Sequence, residues 1–289
     1  MKATHELSVK EIEDIKELAR EKRVVLGFSN DAPIANDLAL VLEKLLITPI
    51  ELPIKGNGEK LTFSAMLLCS QSETFIGINT ADYFDKQIFA IAHELYHFYT
   101  KTRSIQNWQE GNGDDEIETR ANRFAAEFLL PEESFKRRII NEFGEEFLEG
   151  VKRQTLLRFI ARIHCIWYLP YRSVVKRLKE IKAITQEQYK ELYDIDERDP
   201  EGEYSRLGKA FDRDIFIKLN TKTETIGTSA YAIETIVRNF ENNIIDEHAF
   251  AKTLRMFGKD PADFGYEITI SQEDKDEIEE FISGGDSES

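Results

Sequence analysis

Apolar positions recur at helical spacing through most of the chain, interrupted by one stretch of shorter period. Ser8 followed three residues later by Glu11 forms a capping box and predicts a helix to about Lys22. Asp31 is placed to cap a second helix, whose apolar stripe is Leu38, Val41, Leu42 and Leu45. The period then shortens: residues 49–54, a Gly-Asn-Gly turn at 56–58, "KLTFSAMLLCS" and "TFIGIN" read as three short strands in a meander. Helical spacing returns after Asp82 and continues through Thr100. Beyond a polar loop at 111–113 the next helix carries Ile117, Ala121, Phe124, Phe128 and Leu129 on one face and ends at Pro131. Asp114, Asp115 and Glu116 suit its N-terminal dipole.

The second half continues in the same manner. Residues 151–182 predict two helices split at Pro170, with Leu156, Ile160, Ile163 and Trp167 on the first and Val174, Val175, Leu178 and Ile181 on the second. A short helix is expected after Thr185. The acidic stretch "YDIDERDPEGEYSRLG" reads as a linker. After it come an expected strand, "DIFIKLN", two helices near 229–241 and 246–257, and a tail. The expected organisation is a domain over 1–193 (its last part, 151–193, a pair of basic helices and their successor), a linker over 194–204, a C-terminal regulatory or partner-binding module over 205–270 and an acidic, disordered tail over 271–289. The fold class is α+β: a mostly helical core with a small antiparallel sheet and a smaller C-terminal α+β module.

Composition narrows the function classes. With 289 residues, 41% of them hydrophobic, the chain can bury a substantial core. The N-terminal "MKATHELSVKEIEDIK" lacks the apolar block of a signal peptide and no apolar run is long enough to span a bilayer, so a cytoplasmic protein is expected. Cys69 and Cys165 are the only two cysteines, too few for a disulfide framework or a cysteine zinc site. A formal charge of −16 argues against general affinity for nucleic acid. The exception is 151–182, where nine Lys or Arg face one acid; direct DNA binding is nevertheless not expected, because these charges can complement the acidic linker and tail.

The chemistry concentrates in "FAIAHELYHFYT". On a helix His93 and His97, four apart, lie on one face and can direct two imidazole nitrogens at one ion, while Glu94 is turned about 100° away, beside the ion rather than on it. That is the arrangement of a general base for metal-bound water. Ile88, Ile91, Ala92 and Leu95 make the other face apolar, and burying two imidazoles and a carboxylate without partners costs several kcal/mol, which a metal relieves. A catalytic zinc needs a third protein ligand. Glu118, on the inner edge of the next helix, is best placed, with Asn122 one turn on able to hydrogen-bond a ligand and Ala125 small enough to let the helices approach. His164 is the main alternative; His5 and His248 are more distant, and Asp114, Asp115 and Glu116 serve better as caps. Thr74, Phe75, Ile76, Gly77, Ile78 and Asn79 precede the motif and read either as an edge strand able to pair with a peptide substrate or as an internal strand of the sheet. Tyr96, Tyr99 and Arg120 are near enough in sequence to stabilise an oxyanion, and helical phase does not choose among them.

The segments "IGIN", "HELYH" and "EIETRANRFAAEFLLP" together resemble the ImmA/IrrE family of metallopeptidases, from a strand ending in Ile-x-Ile-Asn through His-Glu-x-x-His to Glu-x-x-Ala-Asn-x-Phe-Ala-Ala-Glu-x-Leu-x-Pro. The resemblance extends over about 10–185, because "LLRFIARIHCIWYLPYRSVVKRL" is similar to the helix-turn-helix-like segment of family members, although Trp167 to Pro170 stand where a small-residue turn is usual. It implies a gluzincin-like core, one zinc per chain (another divalent metal such as Mn2+ being the alternative) on His93, His97 and Glu118, and Glu94 as catalytic base. It also implies a substrate: a helix-turn-helix repressor or antitoxin of the Xre type, in phage, mobile-element, stress or toxin-antitoxin settings. The expected function is a zinc endopeptidase making limited cuts in such a repressor, with Glu94 activating a zinc-bound water. The alternative is a non-proteolytic anti-repressor or toxin-antitoxin component that grips its partner while the metal plays a structural part.

Overall fold

The computed structural model describes residues 6–55, 63–70, 73–102 and 115–267. The 56–58 turn, the 111–113 loop, His5, Asp114 and the acidic tail lie outside these residues. The described chain is α+β and divides into two compact units: 1–41 with 83–221, and 42–82 with 222–289.

The first unit is helical. Helix α1 (Val9–Val25) begins at Ser8, whose hydroxyl and Glu11 form the expected capping box. Asp31 caps no helix: a 3-10 turn, Ala35–Asp37, starts from Ile34 and leads into α2 (Leu38–Lys44), while Asp31 accepts from Ser134 and Arg137. Helices α3 (Phe84–Thr100) and α4 (Asp115–Leu129) pack closely, because Ala92, Ala121 and Ala125 are buried and small where they meet. Pro131 ends α4 as expected and starts α5 (Glu132–Phe143). The Glu127 carboxylate spans this corner, accepting from the Glu132 backbone N–H at 2.8 Å and from Arg177 at 2.6 Å.

Helices α6 (Arg153–Trp167) and α7 (Tyr171–Glu180) bury the predicted stripes apart from Ile181, which caps α7 and is half-buried, and they reverse through a left-handed Tyr168 and Pro170. Helix α8 (Gln186–Tyr193) follows Thr185, which forms a second capping box with Gln188. The basic side chains of this region meet acids of the helical unit: Arg153 with Glu191 and Glu203, Arg162 with Glu142, Arg172 with Glu197 and Arg177 with Glu127.

Two expectations fail here. Residues 194–204 are not a loose connector: Glu197 and Tyr204 are buried, and Arg198 reaches the buried Asp85 at 2.8 Å. "DIFIKLN" is not a strand but most of α10 (Arg213–Leu219), which follows α9 (Glu203–Phe211). Its alternating apolar residues misled because Asp212 caps it from the Ile215 N–H, and Phe216 and Leu219, three apart, supply its buried face. Gly208 admits that packing, since a Cβ there would sit 2.0 Å from the Phe216 ring. Both helices therefore belong with 83–221, so the division between units falls near 221 and not at 193–205.

The second unit holds the sheet. Strands β1 (Ile47–Leu52), β2 (Ala65–Cys69), β3 (Thr74–Asn79) and β4 (Gly227–Thr228) are ordered β2-β3-β1-β4. The sheet is mixed, not antiparallel: β3 runs parallel to β1, with Ile47 opposite Thr74 and Leu52 opposite Asn79, and antiparallel to β2. The expected meander would have put β2 in the middle. Instead β3 takes that place, consistent with Ile76, Ile78 and Asn79 all being buried. The C-terminal part returns to supply β4, antiparallel to β1, and then forms α11 (Ala230–Glu241) and α12 (Glu247–Met256), joined by a small core of Val237, Phe250 and Leu254. No helix among the described residues is long and apolar enough to cross a membrane.

Candidate metal centre

Helix α3 presents His93 and His97 one turn apart, and α4 presents Glu118 to them. The Nε2 atoms of the two histidines are 3.2 Å apart; His93 Nε2 lies 3.1 Å from one Glu118 oxygen and His97 Nε2 3.6 Å from the other. One ligand atom from each residue falls within 4.8 Å of the others, which makes the trio a group able to hold a metal ion. Burial is graded across it: the His97 side chain is 0% exposed, His93 13% and Glu118 32%, so the cluster is closed on one side and reachable on the other. An open side is what a catalytic site needs and a closed structural site lacks.

The fit to a cation can be tested on hydrogen bonding. Asn122, one turn beyond Glu118, directs its carbonyl Oδ1 at His93 Nδ1, 3.1 Å away. A carbonyl oxygen only accepts, so His93 Nδ1 carries the proton and its Nε2 presents a lone pair. That lone pair points at a second imidazole nitrogen and a carboxylate oxygen. Electron-rich atoms this close repel unless a proton or a metal cation lies among them, and two imidazoles with one carboxylate form a donor set that suits zinc. Residues 55–155 match the family model Peptidase M78, the IrrE N-terminal-like domain. That stretch contains all of the residues just described, and the match establishes the ImmA/IrrE resemblance and a peptidase-type domain over it. Among curated proteins, none matches the chain.

Within the M78 segment Glu94 is 3% exposed and follows His93 on α3. Tyr96 packs edge-on against the His97 ring, 5.9 Å between centroids, while Arg120 is held by Glu11 and Glu116. Tyr99 lies against Phe124 with Lys22 over its ring, and burial pushes its phenol up. A cleft of about 550 Å3 reaches Asn122 and has Leu7, Ile12 and Phe89 among its apolar lining residues, with Arg123 and Lys176 among its charged ones.

Two sequence expectations separate from the site. His164 is not a ligand: it is fully buried between Asp85, 3.2 Å from its Nε2, and the Tyr204 hydroxyl, 2.8 Å from its Nδ1. His248 lies on α12, and Asp115 and Glu116 start α4. Thr74 to Asn79 are not an edge. Strand β3 is paired on both sides over its length, so a peptide cannot add to it. Asn79 at its end is fully engaged, accepting from the backbone N–H groups of Ile54 and Ala81 and donating to the carbonyls of Ile54 and Phe63 at 2.9 to 3.1 Å. The Ile-x-Ile-Asn element therefore closes the sheet. Sequence reasoning also missed Thr100 and Thr102, the latter 2.9 Å from His97 Nδ1.

Proposed function

We propose that the protein is a zinc endopeptidase that makes limited cuts in a helix-turn-helix repressor or antitoxin of the Xre type. The observation that carries the peptidase reading is the convergence of His93, His97 and Glu118 within 4.8 Å, inside a segment matching a peptidase family. The ion, held by those three side chains, would supply Lewis acidity for attack on a carbonyl. Glu94 takes a proton from the attacking water on its carboxylate and returns it to the leaving amide nitrogen. Asn122 holds the His93 ring so that its Nε2 faces Glu118 and His97, where the ion would be held. The cleft reaching Asn122 gives the substrate apolar contacts next to the site. The choice of an Xre-type substrate rests on the ImmA/IrrE resemblance.

The test is Glu94→Gln. Purified wild-type protein, loaded with zinc and incubated with a helix-turn-helix repressor encoded beside it, should yield discrete fragments. Glu94→Gln should keep its zinc and lose cleavage by at least about 100-fold. A variant that still relieves repression in cells as well as wild type would establish the non-proteolytic anti-repressor instead.

A further inference from the structure

We infer that Thr102, acting through Thr100, is a positioning residue that locks His97 as the Nδ1–H tautomer and so commits its Nε2 lone pair to the metal. The inference rests on the metal-site reading above but comes from different atoms. Helix α3 does not end on glycine. Lys101 takes the left-handed conformation, φ 54°, and its N–H bonds to His97 O; the Thr102 N–H returns to the same carbonyl at 3.3 Å. This reversal folds Thr102 back over the last helical turn and brings its hydroxyl 2.9 Å from His97 Nδ1.

The direction of each proton then follows from counting. The Thr100 hydroxyl donates to the backbone carbonyl of Tyr96 at 2.7 Å, and it has a single proton. Thr100 Oγ1 can therefore only accept from Thr102 Oγ1, 2.9 Å away. Thr102 has then spent its own proton, so toward His97 it can only accept. His97 Nδ1 must carry the hydrogen, and Nε2 is left as a lone pair facing His93 Nε2 and Glu118. His93 is set the same way by Asn122, so the two ligands are oriented by separate devices, one on α4 and one at the cap of α3. With its side chain 0% exposed, His97 has no bulk water to hold the tautomer in place of Thr102.

Two measurements test this. In zinc-free wild-type protein, long-range proton–nitrogen NMR correlations should show His97 protonated at Nδ1; an Nε2–H tautomer would overturn the inference whatever the protein's activity. Zinc affinity, measured by competition with a chromophoric chelator, should weaken 10- to 100-fold in Thr102→Val and recover to near wild type in Thr102→Ser, which restores the hydroxyl. Equal affinity of Thr102→Val and wild type would also overturn it. Should Thr102→Val fail to fold, the wild-type tautomer still decides. A wild-type chain that binds no zinc, with His97 protonated at Nδ1, would sink the metal reading and leave the relay standing.

Discussion

At the scale of single residues, the buried polar side chains divide by whether their hydrogen-bonding capacity is already filled. Asn79 is filled on all sides by backbone groups of Ile54, Phe63 and Ala81, which leaves it nothing to offer a substrate. Asn79→Ala would remove hydrogen bonds from the buried Ala81 N–H and from partly buried groups of Ile54 and Phe63, each worth about 1 kcal/mol or less, so we expect a loss of roughly 2 kcal/mol in denaturant unfolding. Zinc affinity should stay unchanged, because Asn79 touches none of the three ligands. His93 and His97, by contrast, each spend one nitrogen on a partner and keep the other for the cluster. Helical spacing made His93, His97, Glu118 and Asn122 legible in the sequence, since i and i+4 positions stack. Thr102 was not legible. Its contact needs a left-handed Lys101, and lysine gives no sign of positive φ.

Among the elements, α4 is the member that ties the others together. Its inner face brings Glu118 to α3, and its last turns carry Glu127, which meets Arg177 of α7 in a buried pair while also accepting from the first N–H of α5. Burial works against the charge on Arg177, but the carboxylates of Glu127 and Glu180 overcome it and hold the guanidinium above its ordinary range. Removing Glu127 takes away the shorter and more buried partner and leaves the Arg177 charge with only the partly exposed Glu180 at 3.2 Å. Glu127→Ala is therefore expected to cost about 3–5 kcal/mol, read as a lower midpoint in urea. The periodic stripes of α4, α6 and α7 were readable because each is long enough to show its period. "DIFIKLN" was not, since seven residues with alternating apolar positions fit a strand as well as a helix, and burial of Phe216 against Gly208 decided it.

For the molecule as a whole, acid should unfold the helical unit through carboxylates that are paired when folded. Burial opposes ionisation of Glu132, yet Lys136 and Lys16 bring its carboxyl from 4.5 down to about 2. A depressed folded value means the unfolded chain binds the proton more readily. The contribution of Glu132 to stability is thus complete above pH 4.5 and is lost as the pH falls toward about 2. Asp85, held low by His164 and Arg198 despite full burial, acts in the same direction. We expect thermal midpoints to drop over this interval and the drop to be shallower in Glu132→Gln, as scanning calorimetry would show.

The sequence by itself determined the helices with long stripes, the capping box at Ser8, and the grouping of His93, His97 and Glu118, because these depend on spacing along one or two neighbouring helices. Only the tertiary structure decided what lies far apart in the chain. It placed β3 in the interior of a mixed sheet, because strand order depends on which edges bury most and not on chain order. It buried His164 against Asp85 and Tyr204 and anchored residues 194–204 through the buried Glu197 and Tyr204, because an acidic composition cannot reveal that Arg172 meets Glu197 or that Arg198 reaches Asp85 on α3. It also returned the C-terminal segment to the sheet as β4, a pairing of two residues with no periodic signal to announce it.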